Sequence, residues 1–97
     1  MARYRLTAEA RFDLREIARF GIERFGEQQA ERYALALESL FARIAANPLA
    51  FQSVNDLRSG YRRAVYQSLS IYYRVEQDGV LIVRVLGQQQ IDTALPK

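Results

Sequence analysis

Apolar residues recur with a period near 3.6 in the first half of the chain and near two in the second. Ala10, Leu14, Ile17, Ala18, Gly21 and Phe25 lie on one stripe at helical spacing. Thr7 precedes them as an N-cap, since its hydroxyl can accept from the free amides of the first turn. Glu9 follows where the helix dipole favours negative charge. The spacing predicts a helix over 8–25. Phe12 and Phe20 fall off the stripe, where each either pads the edge of the core, the favoured reading, or faces a partner. Ala30, Tyr33, Ala34, Leu37, Leu40, Phe41, Ile44 and Ala45 repeat the pattern and predict a second helix over 27–47. Asn47-Pro48 ends it, because a residue before proline avoids the helical region. Gln28, Glu31, Arg32, Glu38 and Arg43 form its solvated face. A short joint at Gly26 makes the pair an antiparallel helical hairpin.

The alternating part predicts strands over 61–66, 69–76 and 80–86, after a short extended start at 3–6. Gln67-Ser68 and Gln77-Asp78-Gly79 are connections so short that neighbouring strands must run antiparallel. Leu69, Ile71, Tyr73 and Val75, matched by Leu81, Val83 and Val85, give a greasy face that needs cover. Ser70, Tyr72, Arg74 and Glu76, matched by Ile82 and Arg84, give a second face of arginine and tyrosine. The first of these strands adds Arg62, Ala64 and Tyr66 on one side, and Tyr61, Arg63 and Val65 on the other. Residues 48–60 read as a loop pinned by Leu49, Phe51, Val54 and Leu57, and residues 87–97 as a polar, weakly patterned tail. The predicted architecture is α+β, one domain over 1–97. Its sheet is four-stranded and mainly antiparallel, in the order β-α-α-β-β-β, with the helical hairpin covering one face. Strand 3–6 can pair only after the helices return the chain to the sheet.

Half of the 97 residues are hydrophobic (49%) and 26% are charged, which suits a globular domain rather than a disordered chain. No apolar run approaches the roughly 18 residues of a membrane span, and Met1-Ala2-Arg3-Tyr4-Arg5 leads into no signal-type apolar core. The expected location is cytoplasmic, without membrane contact. Of the fourteen basic residues thirteen are arginine, and the only lysine is Lys97. Arginine's planar fork suits carboxylate, phosphate and protein interfaces; a GC-rich genome also produces this bias. Residues 58–97 carry six basic against three acidic residues, so the excess lies on and after the strands.

The chain has no histidine, no cysteine and no internal lysine. That removes the usual base near neutral pH, ordinary zinc sites, Schiff-base chemistry and a Ser-His-Asp triad. No glycine-rich phosphate loop occurs. Glu9, Asp13, Glu16, Glu27 and Glu31 read as solvated helix charges, and Asp56, Asp78 and Asp92 as turn residues. No catalytic, cofactor-binding or metal residue is assigned. What remains is Arg62, Tyr66, Tyr72, Arg74 and Arg84, the composition of a partner-binding surface. That surface suits an acidic protein segment or RNA, or it is a solvated face with no ligand.

Several short stretches, in this order and spacing, carry a resemblance. They are Tyr4-Arg5-Leu6-Thr7, Ala10, Asp13-Leu14, Ile17, Phe25-Gly26, Gln29-Ala30 and Tyr33. Asn47-Pro48, Leu57-Arg58, Gly60-Tyr61-Arg62, Ile71-Tyr72-Tyr73-Arg74-Val75 and Val83-Arg84-Val85-Leu86 continue the series. The chain resembles the ParE toxins of the RelE/ParE toxin–antitoxin superfamily over nearly its whole length. The resemblance implies a bacterial toxin that blocks DNA gyrase by binding. It also implies neutralisation by a ParD-type antitoxin, in a heterotetramer or larger assembly that meets operator DNA only through the antitoxin. RelE-like relatives instead cut messenger RNA on the ribosome, using basic residues with a tyrosine, or a Glu/His/Tyr set. Arg74 and Arg84 match basic positions of those relatives, but Gly87-Gln88-Gln89-Gln90 supplies no proton-transfer group. Many ParE members carry a histidine directly after the last strand, where this chain has Gly87. The rival expectations are a RelE-type endonuclease and an inactive member that only binds its antitoxin.

Overall fold

In the computed structural model, residues 3–56 and 58–87 are described. The element order is β1 (Arg3–Leu6), α1 (Ala8–Phe25), α2 (Glu27–Ala46), β2 (Gln52–Ser53), β3 (Arg62–Tyr66), β4 (Leu69–Glu76) and β5 (Gly79–Gly87). The α+β class and the helical hairpin on the sheet agree with the sequence. The strand number does not. The described strands form a five-stranded sheet in the order β1-β5-β4-β3-β2. The extra strand comes from the segment read as loop, where Gln52 and Ser53 pair with Arg63 and Arg62. Two residues carry too little pattern to register as a strand. Side chains hold this segment down: Arg62 donates to the Phe51 carbonyl at 2.7 Å and the Tyr73 hydroxyl to the Pro48 carbonyl at 2.6 Å. Of the apolar residues expected to pin it, Val54 is buried and Phe51 packs on the core, but Leu49 is exposed. Leu57 and residues 88–97 lie outside the described residues.

Thr7 explains how the chain turns from strand to helix. Its hydroxyl accepts from the Ala10 amide at 3.0 Å and donates to the Val83 carbonyl at 2.7 Å. One side chain thus caps α1 and ties it to β5. Gly26, at φ +88°, ends α1 and starts α2 in a backbone region that other residues avoid. The return brings β1 parallel to β5, with Tyr4 opposite Val80 and Leu6 opposite Ile82. Gly79 is required there, because a Cβ would sit 1.7 Å from the Arg3 carbonyl oxygen.

The main core lies between the helices and the sheet. Leu37, Leu40, Phe41, Ile44 and Ala45 of α2 pack with Ala64, Leu69, Ile71, Tyr73, Val80, Ile82 and Val85. The expected partition of β5 between faces needs correction. Tyr72 faces Arg84 but Tyr73 faces Ile82, so β5 carries one extra residue at this point. Such a bulge resets the alternation. Before it, Val80 and Ile82 face the helices; after it, Val85 does. Leu81 and Val83, expected on the greasy side, join a second cluster with Val54, Tyr61, Tyr72 and Leu86. Strict period-two counting cannot foresee an inserted residue.

Candidate partner-binding surfaces

The two helices sit close at their joined end, where a Cβ on Gly21 would stand 3.5 Å from that of Ala30. Beside this contact an apolar groove of about 670 Å³ opens between α1, α2 and the start of β4. Leu14, Ile17 and Phe25 line one wall, Tyr33, Leu37 and Phe41 the other, and Leu69 the end. Tyr33 stacks at a tilt on Tyr66, with ring centroids 5.3 Å apart. Burial pushes the Tyr33 hydroxyl above its ordinary pKa, and the neighbouring Tyr66 adds to the rise. The β3–β4 turn at the groove mouth holds Gln67 at φ +53°, a conformation uncommon outside glycine.

The groove exists because α1 spends its apolar residues poorly as a core element. Phe20 is 55% exposed and Phe25 59%. Phe12 is also exposed, so neither it nor Phe20 pads the core as the pattern suggested. Large apolar groups that share a rim with a groove mark an interaction site more than scattered surface residues do.

The five sequence-selected residues do not share one face. Arg62 and Tyr66 lie on the helix side of β3 with Ala64, opposite Tyr73 and Leu69. Arg62 is engaged with the Phe51 carbonyl, and Tyr66 stands at the groove beside Tyr33. Tyr72 and Arg74 lie on the other side. Tyr72 is fully buried, not part of an open surface, and its hydroxyl has no hydrogen-bond partner. Arg74 is exposed, with its guanidinium 5.8 Å from the Tyr61 ring centroid. Arg84 sits at the bulge, where Nε and Nη2 donate to the two Asp13 carboxylate oxygens at 2.8 and 2.9 Å. These bonds hold the Arg84 guanidinium above its ordinary pKa, against a smaller opposing effect of burial.

Asp13 is the residue that sequence reasoning misplaced. It reads as a solvated helix charge but is buried, and it also accepts from the Val85 amide at 3.0 Å. β1 stops at Leu6, opposite Ile82, so the Val83–Gly87 half of β5 continues beyond its β1 partner. The carboxylate takes up an edge amide there, as Thr7 takes up a carbonyl. A signal was present: Asp13 stands at i+3 from Ala10 and i−4 from Ile17, inside the apolar stripe.

Among the described residues no group of His, Cys, Asp and Glu could hold a metal ion, and no helix is long and apolar enough to cross a membrane. Residues 4–92 match the family described as "ParE toxin of type II toxin-antitoxin system, parDE". The chain is 37% identical over 89 residues to Toxin ParE1 of Mycobacterium tuberculosis, covering 91% of each chain. It is 40% identical over 88 residues to Toxin ParE1 of Caulobacter vibrioides, again covering 91% of each. A solved structure titled "Chromosomal ParDE TA system from P. aeruginosa" superposes with a TM-score of 0.75 at 21% identity. That match covers 90% of this chain and 96% of the other, and it supports the fold. With the family matched over nearly its whole length, the chain belongs to the ParE toxins of type II toxin–antitoxin systems.

Proposed function

We propose that this toxin acts by binding rather than by catalysis, that its target is DNA gyrase, and that a ParD-type antitoxin neutralises it in the cytoplasm. The observation that carries the antitoxin part is the groove. Its walls are apolar, and the phenylalanines beside it remain exposed. A groove with Leu14, Ile17 and Phe25 facing Tyr33 and Phe41 fits the apolar stripe of an amphipathic helix, read as i, i+3, i+4 and i+7 anchors. Tyr66 borders this site and is assigned to it. Arg74 is exposed and available to an acidic group beyond the groove. Arg62 and Arg84 are given structural roles, since their described donors hold Phe51 and Asp13.

The binding-only reading is supported by the side-chain inventory. Without histidine, cysteine or an internal lysine, proton transfer near neutral pH would fall to carboxylates or tyrosines. Asp13 is tied to Arg84, and burial raises Tyr33 and Tyr73 further from neutrality. The gyrase assignment rests on family membership. Its test is supercoiling by purified gyrase with added toxin. Supercoiling should stop in the presence of toxin and resume when antitoxin is added. Normal supercoiling at excess toxin, or codon-linked cuts in translated messages, would replace this reading with the inactive or the nuclease alternative.

A further inference from the structure

The face of the sheet turned away from the helices carries a charge pattern that the groove does not use. Tyr4 and Leu6 of β1 pack into the main core, so the alternating Arg3 and Arg5 point to the opposite face. Leu81 is opposite Arg5 on one side and Arg74 on the other, which puts both arginines in one row across three strands. Arg63 lies in the next row, opposite Tyr72. Strand spacing puts Arg5 and Arg74 about 10 Å apart, and Arg3 and Arg5 about 7 Å apart. Arg3, Arg5 and Arg74 are exposed. On the described strands of this face the carboxylate is Glu76, which accepts from Arg5 Nε at 3.1 Å and also from Arg5 Nη2, so that Arg3 and Arg74 are the exposed arginines of this face that Glu76 does not bond. Beneath the surface Arg63 Nε and the Tyr72 hydroxyl are buried without a hydrogen-bond partner among the described residues.

We propose that this face binds the phosphate backbone of duplex DNA. Three features choose that ligand. The accessible groups are guanidinium ions, which grip phosphate oxygens in pairs. The rings that a single strand would stack on are not available, because Tyr61 and Tyr72 are buried. A protein interface would need an apolar centre, and among the described residues the exposed large apolar side chain on this face is Val65, at the far end of β3. A duplex presents one charge per about 1.7 Å of axis, so a row about 10 Å wide spans several phosphates. This inference does not rest on gyrase as the target: a toxin that leaves supercoiling untouched could still bind duplex.

The test is fluorescence anisotropy of the full-length toxin with a short labelled duplex of mixed sequence, from about 50 to about 200 mM salt. Three or four phosphate contacts give a slope of log affinity against log salt of about −3, and a fall of roughly 60-fold across that range. The double variant Arg3→Gln/Arg74→Gln should lose about 2 from the slope and bind at least about tenfold more weakly at the low-salt end. Its melting temperature should match the wild type. Arg3→Lys/Arg74→Lys should keep most of the binding. Absence of salt-dependent binding by the wild type, or equal binding by the glutamine variant, would overturn the proposal. Tighter binding of single-stranded RNA would reject the duplex, and stronger competition by polyglutamate would reassign the face to an acidic protein.

Discussion

Helix α2 buries Leu37, Leu40, Phe41, Ile44 and Ala45, whereas α1, nearly as long, buries Ala10 and Asp13 and leaves Phe12, Phe20, Ile22 and Phe25 exposed. Both show apolar residues at helical spacing, so propensity and period do not separate them. What separates them is placement. α2 lies across the sheet and contributes most of the helical side of the core. α1 is fastened by its first turns to the edge of β5, through Thr7 and Asp13, and its later turns flank the groove. The stability of the fold therefore resides in α2 and the sheet. The exposed apolar residues that flank the groove, Phe20 and Phe25, lie in the second half of α1.

Substitutions can break that contrast in order of size. Phe41→Ala removes a fully buried ring from α2 and should cost about 3–5 kcal/mol, read as a lower urea midpoint. Asp13→Ala removes the carboxylate that Arg84 Nε, Arg84 Nη2 and the Val85 amide bond at a partly buried site and should cost about 2–4 kcal/mol. Its effect should be local at first, with faster hydrogen exchange in the second half of β5 than in β4. Phe25→Ala, the same kind of truncation on α1, should change stability by no more than about 0.5 kcal/mol. An effect as large as that of Phe41→Ala would show that α1 is a core helix after all.

The smallest effect is expected at Glu76, on the far face. The hydrogen bond from Arg5 holds its carboxyl below the ordinary value of 4.5. A depressed carboxylate contributes stability at and above the ordinary pKa and loses it as pH falls through the folded value. Glu76→Gln should therefore leave the melting temperature nearly unchanged at neutral pH and slightly flatten the acid limb below about pH 4.5. A clear loss at pH 7 would mean that the pair fixes β1 to β4 more firmly than an exposed ion pair does.

Period and turn chemistry made most of the fold legible before any coordinates. Thr7, Gly26 and Asn47-Pro48 bounded the helices within a residue or two, and Asp78-Gly79 marked the β4–β5 hairpin. β2 was not legible, because two residues paired through backbone atoms leave no pattern. Nor was the bulge at Tyr72/Tyr73, which exchanged the faces of Leu81 and Val83. The partner-binding set was legible only as a composition. Arg62, Tyr66, Tyr72, Arg74 and Arg84 alternate along strands, yet the edge contact of Arg84 and the burial of Tyr72 depend on α1 and on packing from distant segments. The exposed phenylalanines gave a signal in Phe12 and Phe20, which lay off the stripe; Phe25 lay on it and is exposed all the same.

The most direct measurement is the affinity of the cognate antitoxin for the wild-type toxin and for Phe20→Ser/Phe25→Ser, by calorimetric titration with melting curves on both. If the second half of α1 is the holding surface, the double variant should bind roughly 100-fold more weakly while melting within a few degrees of the wild type. Undiminished affinity, with the variant folded, would contradict the assignment of the groove.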